Sequence, residues 1–75
     1  MKRITEYDEF GTAIEITSPD DDWVLEVTNL GFDAWLHSPD GTSGIAADGK
    51  TKGEALRNLQ KRLDDWLGYR RRYGL

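Results

Sequence analysis

The chain has 75 residues, and its 14 acids outweigh 10 lysines and arginines to give a net charge of −4. Without a single cysteine it has neither disulfides nor thiolate chemistry, which suits a reducing compartment and sets the expectation of a cytoplasmic protein. No apolar run is long enough for a membrane span, and the opening MKRITEYDEFG lacks the apolar centre of a signal peptide.

A chain this short makes one domain and buries only about 60% of its unfolded surface. Its three tryptophans therefore matter to the core. Residues 1–11 are charged and weakly periodic, and are expected to form a loose arm pinned through Ile4, Tyr7 or Phe10. Thr12 to Thr17 alternates around Ile14 and Ile16 as a strand does. Ser18-Pro19-Asp20-Asp21-Asp22 reads as a turn. Trp23 to Thr28 is a second strand, with Trp23, Leu25 and Val27 on one face and Val24, Glu26 and Thr28 on the other. Asn29-Leu30-Gly31 is the next turn, and Phe32 to His37 a third strand. Two registers are open there: Phe32, Ala34 and Leu36 inward with Trp35 outward, or the reverse.

Ser38-Pro39-Asp40-Gly41 is a Pro-Asp-Gly turn, after which Gly44 to Ala47 makes a short fourth strand or an extended approach to the helix. The helix is expected over Thr51 to Leu67. Thr51-Lys52-Gly53-Glu54 is a capping box, and Ala55, Leu56, Leu59, Leu63, Trp66 and Leu67 form one apolar stripe. Arg57, Gln60, Lys61, Asp64 and Asp65 are expected to face away. Gly68 suits the position just past the helix end, leaving residues 68–75 as a basic tail, although the helix is free to continue toward Tyr73. The expected class is α+β: a three- to four-stranded antiparallel meander (12–47) packed on one C-terminal amphipathic helix.

Charge is divided along the chain. Residues 1–48 hold eleven acids and two bases, a net −9, whereas residues 49–75 hold three acids and eight bases, a net +5. Either the two ends attract each other, or the molecule carries two surfaces of opposite sign, one fit to dock a basic partner.

Catalytic constellations are missing from the sequence. His37 is the only histidine and reads as a strand surface residue. Without other His or Cys a transition-metal site lacks its usual ligands. Asp20-Asp21-Asp22 lacks the alternation and closing Glu of a calcium loop. Serines 18, 38 and 43 sit in turns without a nucleophile motif, and Gly41-Thr42-Ser43-Gly44 is not a phosphate loop. The expectation is a non-enzyme with no cofactor.

Two surfaces remain. The first is the sheet side bearing Trp35 and Val24 among Glu26, Asp33 and the turn acids Asp20, Asp21 and Asp22, an aromatic acidic patch suited to a protein partner. The second is Tyr69-Arg70-Arg71-Arg72-Tyr73, where bases interleave with rings in a way that suits nucleic acid. An open sheet edge also permits a homodimer.

Ala34-Trp35-Leu36-His37-Ser38-Pro39-Asp40, then Gly44 to Thr51, then Glu54-Ala55-Leu56 with Asn58-Leu59, resemble the N-terminal domain of HicB-type antitoxins. In that family a strand ends in Pro-Asp, a Gly opens a short extended piece, and the helix starts Thr-x-x-Glu-Ala-Leu. The resemblance covers residues 34–67. It implies a partial RNase H-like fold, a small sheet with a helix, and a role in binding and blocking a small basic RNase toxin. The chain departs from the pattern at Gly41-Thr42-Ser43, where the family has Leu and Pro, and is expected to lack the family's C-terminal DNA-binding region, so operator binding is not implied. A phage or mobile-element accessory protein that inhibits a host factor would use the same kind of surface.

Overall fold

Residues 2–7 are held by the turn that follows them. Asp8 accepts from the backbone N–H of Phe10 (2.9 Å) and of Thr12 (2.8 Å), and Gly11 takes the left-handed φ of 81° that closes the loop. The chain thus doubles back as a hairpin, pairing β1 (Lys2–Tyr7) with β2 (Ala13–Ser18) in antiparallel register, Ile4 opposite Ile16. The opening segment is therefore a strand and not a loose arm. Its Ile4, together with Ile14 and Ile16, supplies apolar surface that a charged arm would not. A computed structural model describes residues 2–28 and 32–74, so the turn expected at Asn29-Leu30-Gly31 lies outside the described residues.

The second unit is a true meander: β3 (Val24–Thr28), β4 (Asp33–His37) and β5 (Gly44–Asp48), all antiparallel, in the order β3-β4-β5. The expected single meander of three or four strands is thus two sheets, of two and three strands, because β2 pairs back onto β1 instead of forward onto β3. The α+β class holds. Phe32 precedes β4 with a left-handed φ of 51°, which costs a bulky residue about 1–2 kcal/mol. Burial of its ring beside the core opposes that cost.

Helix α1 (Lys52–Tyr73) covers one side. Thr51 is extended and its hydroxyl accepts from the Glu54 N–H at 3.0 Å. A second unpaired donor of the first turn is met from elsewhere: Glu9, in the β1–β2 loop, accepts from the Gly53 N–H at 3.2 Å. Glu9 has its carboxyl pulled below the ordinary range, first by a backbone hydrogen bond within its own residue and then by Thr51 and Gly53, while burial opposes the shift. The helix does not stop at Gly68. It runs to Tyr73, and Gly74, at φ 70°, caps it by donating to the Arg70 carbonyl. An interior glycine costs about 1 kcal/mol, set against further turns that stack Tyr69 on Tyr73 (4.7 Å) and lay Arg70 over Trp66 (4.9 Å).

Leu56, Leu59 and Leu63 of α1 are fully buried against Ile16, Ala34, Leu36 and Ala47. Each such leucine contributes about 1.5–3 kcal/mol. Trp66, half-buried, meets Trp23 at 6.1 Å. Gln60 does not face solvent as its place off the stripe suggested. It accepts from the Thr17 N–H (2.7 Å) and donates to Asp64 (2.8 Å), tying the helix to β2. The acidic and basic halves of the chain meet through Lys52–Glu6 (3.3 Å) and Arg57–Asp8 (3.9 Å).

Candidate functional site

Since α1 packs on one side of β3-β4-β5, strand alternation sends every second residue to the other side. Ala34 and Leu36 are fully buried, which settles the open register: Trp35 points outward and is 40% exposed. The registers place Val24 beside His37, Glu26 beside Trp35, and Thr28 beside Asp33, with Gly44, Ala46 and Asp48 completing the face on β5. Among the described residues this face holds three carboxylates and no lysine or arginine.

Four expected residues, Val24, Glu26, Asp33 and Trp35, therefore share one surface. Asp20, Asp21 and Asp22 do not join them in the sheet; they lie in the exposed turn that leads into Val24, where the Ser18 hydroxyl donates to the Asp20 carbonyl at 2.6 Å. Asp48 and Ala46 belong to the face although the sequence reading did not assign them. The signal was the alternation Gly44, Ala46, Asp48, hidden by ending the strand at Ala47.

His37 is not the surface residue expected of it. Its side chain is only 12% exposed, stacked on Trp35 with ring centroids 3.9 Å apart. Its Nδ1 lies 2.8 Å from the Ser38 carbonyl, and Nε2 lies 3.4 Å from a Glu26 oxygen without forming a hydrogen bond. Ser38 turns its hydroxyl to Asp40 (2.7 Å) and not to the imidazole, so no nucleophile–base pair forms. Gly44 makes room for the indole, since a Cβ there would stand 2.6 Å from Trp35 Nε1. The aromatic pair is thus packed between Glu26 and β5.

No protein-family model, curated protein or solved structure matches the chain.

The β4–β5 turn behind the patch is tightly built. Asp40 accepts from Ser38 Oγ, from the Thr42 N–H (3.1 Å) and from Thr42 Oγ1 (2.9 Å), with Gly41 at φ 75°. These donors, the Ser38 hydroxyl foremost, hold its carboxyl down at about 2. Among the described residues no group of three His, Cys, Asp or Glu stands close enough to hold a metal, and no helix is long and apolar enough to cross a membrane.

At the other end of the molecule Arg70, Arg71 and Arg72 lie in the last helical turn and not in a tail. Consecutive helical residues point about 100° apart, so the three fan around the axis instead of forming one surface. Arg70 is spent on Trp66. Tyr69 and Tyr73, four residues apart, share a side and are 54% and 61% exposed.

Proposed function

We propose that this chain is a non-catalytic protein-binding module that sequesters or inhibits a basic protein partner through the outer face of β3-β4-β5. The observation that carries this reading is the exposed Trp35, held against His37 on a sheet face whose strand residues carry only negative charge, with Arg62 of α1 at its β5 margin. Interface anchors are typically rigid aromatics of this kind, and carboxylates around them favour a cationic partner. The resemblance to HicB-type antitoxins supports the same role in the cytoplasm with a small basic toxin as the partner. A phage-borne inhibitor of a host factor would work by the same physics, and the neighbouring genes tell the two apart.

The test is affinity purification of the tagged chain from its native host, followed by measured affinity for the purified partner. A basic protein should be recovered, should lose about tenfold or more affinity to Trp35→Ala, and should release as salt rises. Equal affinity for wild type, Trp35→Ala and Asp20→Lys overturns the reading.

A second reading rests on the projecting helix end. Arg71 and Arg72 with the exposed Tyr69–Tyr73 pair offer phosphate contacts beside stacking rings. It requires nucleic-acid retention that falls steeply with salt and is lost when Arg70, Arg71 and Arg72 become Ala. Retention by the triple variant removes it.

A further inference from the structure

Strand β5 is an edge of its sheet, and the hydrogen bonds at its two ends fix which of its backbone groups are unpaired. Ser38 N–H donates to the Ser43 carbonyl (2.8 Å), and Gly49 N–H donates to the Phe32 carbonyl (3.2 Å). With Ala34 opposite Ala47 and Leu36 opposite Ile45, the even residues of β4 are the hydrogen-bonded partners. Ile45 and Ala47 therefore spend their N–H and C=O groups on β4, while those of Gly44, Ala46 and Asp48 point outward. The Asp48 carbonyl confirms the direction, since Asn58 of α1 reaches it from outside at 2.9 Å. Among the described residues Ala46 has no such partner.

The side chains beside this free backbone are unusual. Asp33 and Asp48 stand directly opposite each other as a non-hydrogen-bonded pair, the geometry that brings side chains closest and makes like charges repel. They line a cleft of about 230 Å³ with Trp35, Ala46 and Arg62. Among the described residues Arg62, although it lines the cleft, makes no ion pair with either aspartate, so both carboxylates keep oxygens open to a further cation.

We propose that an extended segment of the partner adds to the β5 edge as a fourth strand and sets a lysine or arginine against Asp48 and Asp33. This deepens the reading above and rests on it. In an antiparallel addition the residue opposite Ala46 exchanges both backbone hydrogen bonds with it and shares its face. The residue two positions earlier then faces Asp48, and the residue two later faces Gly44, where the Trp35 indole leans. The recognised pattern is basic, any, apolar, any, apolar. Small residues at Gly44 and Ala46 leave the added strand room beside the ring.

The probe is acetyl-Arg-Thr-Val-Thr-Val-amide, titrated into the full-length ¹⁵N-labelled chain. Saturable shifts are expected at the Ala46 and Asp48 amides and at the Trp35 indole N–H. Asp33→Asn with Asp48→Asn should weaken binding about threefold or more. N-methylation of the central valine should abolish the shifts, whereas N-methylation of either threonine, whose N–H points away from β5, should not. Binding indifferent to central N-methylation overturns edge pairing. Equal binding of a peptide with Glu in place of Arg overturns the cation preference. Shifts at Ala46 that follow protein concentration without peptide assign the edge to a second copy, and also overturn the proposal. If the probe fails while the native partner still depends on Trp35, only the edge assignment falls. If the probe succeeds while the partner ignores Trp35→Ala, the sheet-face function falls instead.

Discussion

Two glycines in α1 should respond to the same substitution with opposite signs. Gly68 is exposed within the helix and a Cβ there meets nothing within 4 Å. Gly68→Ala removes the backbone-entropy penalty of glycine and should stabilise by about 0.5–1 kcal/mol. Gly53 is buried as the second residue of the same helix, and a Cβ there would lie 2.9 Å from Asp8 Cβ, 2.8 Å from Glu9 Oε1 and 2.9 Å from Arg57 Nη2. The glutamate and arginine ends can swing away, but Asp8 cannot, because its carboxylate is fixed by the N–H groups of Phe10 and Thr12. Overpacking of this kind costs about 1–3 kcal/mol and exceeds the propensity gain, so Gly53→Ala should destabilise by about 1 kcal/mol. Urea unfolding followed by far-ultraviolet circular dichroism reads both. With a slope near 1 kcal/mol/M for so small a domain, the midpoints should move in opposite directions by up to about 1 M. A stabilising Gly53→Ala would refute the docking of the β1–β2 loop on the helix, and a destabilising Gly68→Ala would refute a helix that continues past residue 67.

Leu59→Ala empties a fully buried site and should cost about 2–5 kcal/mol, enough to lose the cooperative thermal transition of a domain with little stability to spare. Asp40 should titrate at about 2 in a carbonyl-carbon NMR titration, and Ser38→Ala should move it back toward 3.8. Because its pKa is depressed on folding, Asp40 stabilises the β4–β5 turn fully above the ordinary value, and that contribution is lost as pH falls through the interval down to about 2. Gly44→Ala should leave the fold intact but push the indole off its seat, read as a displaced Trp35 indole N–H resonance and a changed His37 ring environment; an unmoved resonance would contradict the contact.

Much of the architecture is legible because periodicity and caps are local. The Leu56, Leu59 and Leu63 stripe, the Thr51 cap and the alternation of Leu25 and Val27 all appear where residue spacing puts them. The N-terminal hairpin is illegible for the opposite reason. Its turn, Asp8-Glu9-Phe10-Gly11, works through Asp8 accepting two backbone N–H groups and Gly11 turning left-handed, and charged neighbours obscure that signature. Pairing of β1 with β2 also decides that β2 does not join the meander, a competition that no single strand's pattern displays. At the site, Val24, Glu26, Asp33 and Trp35 are readable from alternation once Ala34 and Leu36 are known to be inside. The role of His37 was not readable, because stacking on Trp35 depends on the two side chains leaning the same way on one strand.

The hairpin's dependence on α1 sets the order in which the protein can be completed during synthesis. Residues 2–18 emerge before α1, yet Ile4, Ile14 and Ile16 pack into the core that Leu56, Leu59 and Leu63 complete, and Glu9 awaits its donors at Thr51 and Gly53. A ribosome-bound chain that has not yet released residues 52–63 holds two hairpin strands with an apolar side open to water. A two-stranded ribbon alone is marginal at best. This part of the nascent chain is thus expected to stay unfolded and protease-sensitive until residues 52–73 clear the exit tunnel, and then to close in one step.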